Sequence, residues 1–197
     1  SSKSTSLFYK HAINFLKRRG INETDIKKHK IGFCDNGVYQ NRIIIPSYDD
    51  NGILNYFVGR SFMGGMKYKN PNVSRDIVPF DWFIAWSFPI VLCEGVFDAI
   101  SIRTNAIPML SKKPSKSLLR KIFEKKVKTI YIALDEDAKK DAYNLSEFFR
   151  DFGIDSKVVQ LPKNKDPNDL GFEQMTSLID KTISSSFSDM IQARLYG

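Results

Sequence analysis

The chain has 197 residues, of which 42% are hydrophobic and 26% are charged, a composition typical of one or two small folded domains and unlike that of a disordered protein. No apolar run approaches the roughly 18 residues that span a bilayer, so we expect a soluble, cytoplasmic protein with no membrane partner. The net charge of +8 favours polyanionic partners, and two cysteines with two histidines exclude a familiar four-ligand zinc site, so no zinc is expected in this chain.

Residues 1–88 predict a small α+β subdomain with a basic surface. This segment carries 13 basic and 7 acidic side chains. Apolar residues recur at helical spacing over 5–19, and Asn22 can cap a second short helix. Two strand-like segments within 42–60 flank Asn51-Gly52, a pair typical of hairpin turns.

After residue 88 the pattern changes to short apolar strands that alternate with helices. This alternation is typical of an α/β domain, in which helices cover both faces of a parallel sheet. We expect residues 89–170 to form that domain and 171–197 to add a C-terminal helical segment. The predicted strands are 90–93, 106–110, 129–134 and 156–161, and the predicted helices are 95–103, 115–126, 138–152 and 172–183.

Three of the four predicted strands end at acidic side chains. Glu94 follows the first strand, Asp135 follows the third, and Asp166 lies in the loop after the fourth. Ligands of open α/β sheets bind outside the carboxyl ends of the strands, so these carboxylates are expected to lie together. A single acid in such a turn is more often a charge at a helix N-terminus. The set of three predicts a divalent cation, Mg²⁺ or Mn²⁺, because grouped carboxylates repel one another and both ions prefer oxygen ligands.

The segments Val-Leu-Cys-Glu-Gly-Val-Phe-Asp at 91–98 and Ile-Ala-Leu-Asp-Glu-Asp at 132–137 together resemble the Toprim domain. That domain is shared by bacterial-type primases, type IA and type II topoisomerases and several nucleases. The motif alone therefore implies a domain and leaves the activity open.

Motifs in the first half of the chain narrow the resemblance to one class of Toprim proteins. Asn-Arg-Ile-Ile-Ile-Pro at 41–46, Val-Gly-Arg at 58–60 and Lys-Tyr-Lys-Asn-Pro at 67–71 occur in the same order, with similar spacing, as in the catalytic core of DnaG-type primases. Lys-Asp-Pro-Asn-Asp at 165–169 resembles that family's last acidic motif. The resemblance covers the chain from about residue 8 to residue 170.

The resemblance implies a DNA primase, a nucleotidyltransferase that copies a single-stranded DNA template into a short RNA primer from ribonucleoside triphosphates. In that reaction a 3′ hydroxyl attacks the α-phosphorus, and two or more divalent ions stabilise the attacking and leaving oxygens. The implied catalytic carboxylates are Glu94, Asp135 and Asp137, with Glu94 either a ligand or a general base. The implied metal ligands are Glu94, Asp98, Asp135, Asp137, Asp166 and Asp169.

Arg42, Arg60 and Lys67 match basic positions that, in the resembling family, face the acids and hold template or triphosphate. Guanidinium groups pair bidentately with phosphate oxygens, and lysine supplies a compact charge. Tyr68 and Asn70 are implied supports for a base or sugar. The alternative, that the arginines are solvated ends of a hairpin, is outweighed by the basic charge of this half and by the shared motif order.

Two further features have ordinary structural interpretations. The basic stretch 112–128 is interpreted as a solvated helix face, because an apolar stripe that includes Leu118 and Ile122 lies opposite its charges. Trp82 and Trp86 are predicted core residues, as are the reduced thiols of Cys34 and Cys93.

The sequence departs from the primase pattern in several places. Only Arg75 is available where the family usually has a further basic residue, and Asn168 stands where a second Asp is common. The family's zinc-binding module and helicase-binding domain are not among these residues. We expect a zinc module and a replicative helicase on missing segments or on other chains, in a bacterium or a phage-infected cell. The alternatives are a metal-dependent Toprim nuclease and a catalytically inactive DNA-binding Toprim module.

Overall fold

The computed structural model describes the backbone of residues 7–196 and the side chains of residues 7–183. The predicted start of the first helix at residue 5 and the last residue of the predicted C-terminal segment lie outside this range. The described chain forms two compact units, residues 7–83 with 115–118, and residues 84–114 with 119–196. Among the described helices, none combines the length and the hydrophobicity of a membrane-spanning segment.

The first unit contains two helices and a three-stranded antiparallel sheet in the order β1-β2-β3. Asn22 caps the second helix as predicted, because its side-chain oxygen accepts a 3.0 Å hydrogen bond from the backbone N–H of Asp25. The predicted hairpin is confirmed, and Gly52 in its turn has a φ of +77°, which glycine adopts without strain. The elements are α1 (Leu7–Arg18), α2 (Glu23–Lys28), β1 (Gly32–Cys34), β2 (Arg42–Tyr48) and β3 (Leu54–Ser61).

Some details of this unit differ from the sequence predictions. Trp82, predicted as core, is 52% exposed and lies with its six-membered ring beside Gly52. Cys34 is half-buried, and its thiol lies 3.0 Å from the carbonyl oxygen of Asn36. β1 is absent from the predictions because three residues are too short to show an alternating pattern.

The second unit confirms the predicted parallel sheet, with strand order β5-β4-β6-β7. All four side chains of Ile90–Cys93 are buried, as expected for a central strand with helices on both faces. The elements that lie in this unit or enter it are β4 (Ile90–Cys93), α3 (Val96–Ile102), β5 (Ala106–Pro108), α4 (Lys116–Glu124), β6 (Thr129–Ala133), α5 (Lys139–Asp151), β7 (Asp155–Val158) and α6 (Pro167–Tyr196).

Three strands end earlier than predicted, β6 by one residue, and the last helix begins earlier. β5 ends at Pro108, shortly before Leu110, whose φ of +60° is incompatible with a strand. β7 ends at Val158, although the backbone N–H of Val159 still donates to the carbonyl oxygen of Ile132 in β6 at 2.9 Å. α6 contains the predicted helix 172–183, and Gly171, with a φ of +68°, interrupts it after its first turn.

Candidate active site

The carboxyl edge of the parallel sheet brings together acids from separate strand ends. Asp135, Asp137, Asp166 and Asp169 line one open cleft of about 480 Å³. Burial, followed by the neighbouring carboxylates of Asp166, Glu94 and Asp137 in that order, raises the pKa of Asp135 to about 6. The acids of three strand ends therefore act on one another, as the topology predicts.

Asp135 is the acid whose surroundings are least satisfied. Its side chain is half-buried, and its Oδ1 atom is buried without a hydrogen-bond partner in the described part of the chain. A buried carboxylate oxygen with no donor is unfavourable unless a cation or water supplies the missing interaction. This oxygen is therefore suited to receive a positively charged ligand.

Asp98 is buried and bound to the backbone. Its Oδ2 accepts a 2.8 Å hydrogen bond from the backbone N–H of Gly95, which caps the start of α3. A second bond comes from the backbone N–H of Asn168 at the start of α6. The pKa of Asp98 is raised to about 7, chiefly by burial and also by the charges of Asp166 and Asp135, against the lowering effect of the two backbone hydrogen bonds. Asp98 thus joins α3 to α6 beside the acidic edge.

The loop before α6 is held by two other carboxylates. The Oδ1 of Asp166 accepts a 2.6 Å bond from the backbone N–H of Asp169, which is the geometry of a helix N-cap. The Oε2 of Glu136 accepts a 3.1 Å bond from the backbone N–H of Asn164. These bonds fix the loop that presents Asp166 to the cleft, while Asp169 remains exposed.

Asp137 has a partner that sequence reasoning missed. The Nζ of Lys112 lies 2.8 Å from its Oδ2, and this ion pair lowers the pKa of Asp137. Lys112 belongs to the basic stretch interpreted as a solvated helix face, but it precedes α4 and lies in the loop after β5. The sequence did offer one indication that Lys112 lies near the acids. It follows the end of β5, and β5 is the one predicted strand of this sheet that is not followed by an acid.

The donor chemistry of this edge fits Mg²⁺ or Mn²⁺. The acids offer oxygen ligands only, one of them unpartnered, and the raised pKa values of Asp98 and Asp135 reflect burial and mutual repulsion that a cation would relieve. Within the described residues, no three acidic, histidine or cysteine side chains are already arranged as a complete ligand set.

The first unit carries a cluster of cationic and aromatic side chains around Arg60. Its guanidinium carbon lies 4.8 Å from the ring centre of Tyr68 and 5.7 Å from that of Phe15. The Nε and Nη1 atoms are buried and, among the described residues, have no hydrogen-bond partner. The Nζ of Lys67 lies 5.6 Å from the ring centre of Tyr68. Two nitrogen atoms of Arg60 thus lack an acceptor, beside the exposed side chain of Lys67.

Arg42 and Asn70 support this cluster through Gly59. Arg42 is only 9% exposed, and its Nη1 donates to the carbonyl oxygen of Gly59 at 3.3 Å, so it is not a solvated strand end. The Oδ1 of Asn70 accepts from the backbone N–H of Gly59 at 3.3 Å. The backbone N–H of Lys69 donates to the carbonyl oxygen of Gly59 at 2.8 Å, which holds residues 67–70 beside β3.

Comparisons with known proteins agree with this architecture. Residues 91–171 match the protein family described as Toprim-like. The uncharacterized protein MG010 of Mycoplasma genitalium is 32% identical over 175 residues, which cover 82% of this chain and 80% of that protein. The chain belongs to the same family as this mycoplasmal protein.

The fold of this family member is that of a DnaG-type primase core. The structure of a DnaG primase catalytic domain bound to single-stranded DNA superimposes with a TM-score of 0.74 at 17% identity, covering 90% of this chain and 75% of that one. A DNA primase from Clostridium acetobutylicum is 24% identical over 198 residues, 89% of this chain. The chain spans only 33% of that primase, about a third of its length.

Proposed function

We propose that this primase-like core is a nucleotidyltransferase that makes short RNA primers on single-stranded DNA with Mg²⁺ or Mn²⁺. The observation that carries the proposal is the grouping of Asp135, Asp137 and Asp166 in one cleft at the carboxyl edge of a Toprim sheet. The primase likeness also extends beyond the Toprim region, since it covers 90% of the chain and therefore includes the front unit.

The roles of the acids follow from their surroundings. Asp135, Asp137 and Glu94 are the proposed ligands, and Glu94 is alternatively the general base that takes the proton of the attacking 3′ hydroxyl. When bound, the divalent cation supplies charge stabilisation to the attacking and leaving oxygens. Asp166 completes the set from the helix-capping loop. We assign Asp98 to positioning, because its carboxylate holds two backbone N–H groups.

The basic cluster is the proposed phosphate-binding surface. Arg60 has unpartnered guanidinium N–H groups, and Lys67 is exposed beside it. Tyr68 is 40% exposed and offers a ring face to a base or sugar. Arg42 and Asn70 are proposed to act through the backbone of Gly59, which they both bond.

The proposed partners are single-stranded template DNA, ribonucleoside triphosphates and the growing RNA primer. Choice of a start site and delivery to the replication fork are proposed to need a zinc-binding module and a helicase, neither of which these 197 residues supply. The protein alone should therefore extend a supplied oligoribonucleotide better than it initiates a new primer.

The test incubates the protein with 5′-labelled single-stranded DNA, an annealed oligoribonucleotide, ribonucleoside triphosphates and Mg²⁺ or Mn²⁺. Primase activity predicts extension of the oligoribonucleotide that stops when the divalent cation is chelated. Shortening of the labelled DNA without extension would instead identify a Toprim nuclease. Binding of DNA with neither product would identify an inactive DNA-binding module.

A further inference from the structure

We infer that Lys112 and the divalent cation are alternative partners of Asp137, so that Lys112 weakens cation binding at the acidic edge. This inference rests on the proposed function, in which Asp137 is a cation ligand. It adds a residue that neither the Toprim motif nor the primase-like segments include. The evidence is the position of one lysine, the charges around it and the loop that presents it.

Lys112 contacts the acid directly. Its Nζ lies 2.8 Å from the Oδ2 of Asp137, a charge-assisted hydrogen-bond distance. The side chains are 42% and 72% exposed, so water reaches both partners. Exposed ion pairs of this kind add little to folding stability. The pair is therefore easily exchanged for another cation.

The loop that carries Lys112 is fixed to the acidic edge by its backbone. The N–H of Leu110 donates to the carbonyl oxygen of Glu94 at 2.9 Å, and the N–H of Met109 donates to that of Cys93 at 2.8 Å. The hydroxyl of Ser111 then donates to the carbonyl oxygen of residue 113 at 2.5 Å. These bonds hold the backbone just before Lys112 against the end of β4 at Glu94.

The charge of Lys112 reaches several proposed ligands. Its hydrogen bond to Asp137 raises the pKa of Lys112, and the carboxylates of Glu94 and Asp141 act in the same direction, so the ammonium group stays protonated. Lys112 also lowers the pKa of Asp135. The same positive charge would repel a cation bound among these carboxylates.

The consequence is a cation affinity lower than that of the same carboxylates without the lysine. A divalent ion must displace the ammonium group from Asp137, and the displaced group, which remains nearby, then repels the bound ion. In a water-accessible site, the repulsion between a single and a double charge several ångströms apart corresponds to roughly tenfold in affinity. Lys112→Met should therefore bind Mn²⁺ about tenfold more tightly than the wild type.

The chain offers closely matched controls. Lys113 is the next residue, is exposed and carries the same charge, so Lys113→Met removes one charge from the same loop while leaving the pair with Asp137. Its Mn²⁺ affinity should stay within about twofold of wild type. Lys112→Arg keeps the positive charge and should stay near the wild-type affinity. Asp135→Asn reports whether the binding occurs at the acidic edge.

The experiment titrates the full chain and each variant with Mn²⁺, reading free Mn²⁺ by electron paramagnetic resonance. Tighter binding by Lys112→Met alone supports the inference. Unchanged or weaker binding by Lys112→Met, or equal tightening by Lys113→Met, overturns the inference. If the binding is still lost in Asp135→Asn, the proposed cation site remains intact. No saturable binding by the wild type, or full binding by Asp135→Asn, overturns the proposed site and this inference with it.

Discussion

The side-chain amide of Asn168 donates a 2.7 Å hydrogen bond to the hydroxyl oxygen of Ser101, and this bond joins the first turn of α6 to α3. Both residues are buried, at 9% and 7% exposure. The backbone N–H of Asn168 also binds the carboxylate of Asp98. The departure from the primase pattern at this position therefore has a structural role, since an aspartate could not donate through its ionised side chain.

Asn168→Asp should destabilise the protein by about 1–3 kcal/mol at pH 7, because it removes the donor and adds a buried charge near Asp98. Ser101→Ala, which removes the acceptor, should cost about 1–2 kcal/mol by leaving the amide without its partner. Urea denaturation followed by circular dichroism measures both effects. An Asn168→Asp protein as stable as the wild type would contradict the role assigned to this bond.

His29 should make the stability of the protein depend on pH. It is 4% exposed, packs against Phe80 and Phe83, and has its pKa lowered from 6.5 to about 4 by burial and by Lys28. The unfolded chain therefore binds a proton first as the pH falls. Stability is lost as the pH drops from 6.5 towards 4, by up to about 3 kcal/mol.

Comparison with His29→Leu isolates this contribution. The difference in unfolding free energy between the two proteins should change across this pH range and remain constant above pH 7.5. Denaturant titrations at several pH values supply the data. A difference that does not vary between pH 4 and pH 7 would show that His29 is not buried in its neutral form.

Gly59→Ala should disrupt the basic cluster without replacing any charged side chain. A Cβ atom at this position would lie 2.3 Å from the carbonyl oxygen of Lys69, a backbone atom that must move. Gly32→Ala is the matched control, because Gly32 is also a strand glycine and a Cβ there has nothing within 4 Å. We expect the Gly59 variant to lose several-fold in affinity for single-stranded DNA by fluorescence anisotropy, and the Gly32 variant to bind like the wild type.

Arg60→Ala should weaken binding of single-stranded DNA and reduce its salt dependence. One lost phosphate contact lowers the slope of log affinity against log salt by about 0.7 for a single strand. Arg18→Ala removes an exposed arginine from the end of α1 and serves as the control. An unchanged slope for Arg60→Ala would place the phosphates elsewhere on the unit.

The central features of the fold and of the acidic edge could be predicted because they depend on local sequence. The strands Ile90–Cys93 and Thr129–Ala133 are largely apolar; Glu94 follows the first directly, and Asp135 follows the second after one residue. Parallel pairing then determines that Glu94 and Asp135 lie at the same edge. The grouping of the carboxylates required no knowledge of side-chain positions.

Other features depend on contacts between distant residues and could not be read from the sequence. Lys112 and Asp137 are 25 positions apart and follow β5 and β6, which flank β4. The burial of Arg42 depends on Gly59 across the hairpin, a pairing that hydrophobic patterning does not specify. The position of Trp82 beside Gly52 likewise joins residues 30 positions apart.

The most direct test of the account compares Asp135→Asn with Asp151→Asn in template-dependent incorporation of labelled ribonucleotides with Mg²⁺ or Mn²⁺. Asp135 carries the unpartnered oxygen of the acidic edge, whereas Asp151 is an exposed acid at the other end of α5. We predict that Asp135→Asn loses at least about a hundredfold in rate, that Asp151→Asn stays within about twofold of wild type, and that both remain folded. Near wild-type incorporation by Asp135→Asn would contradict the assignment of this edge as the catalytic centre.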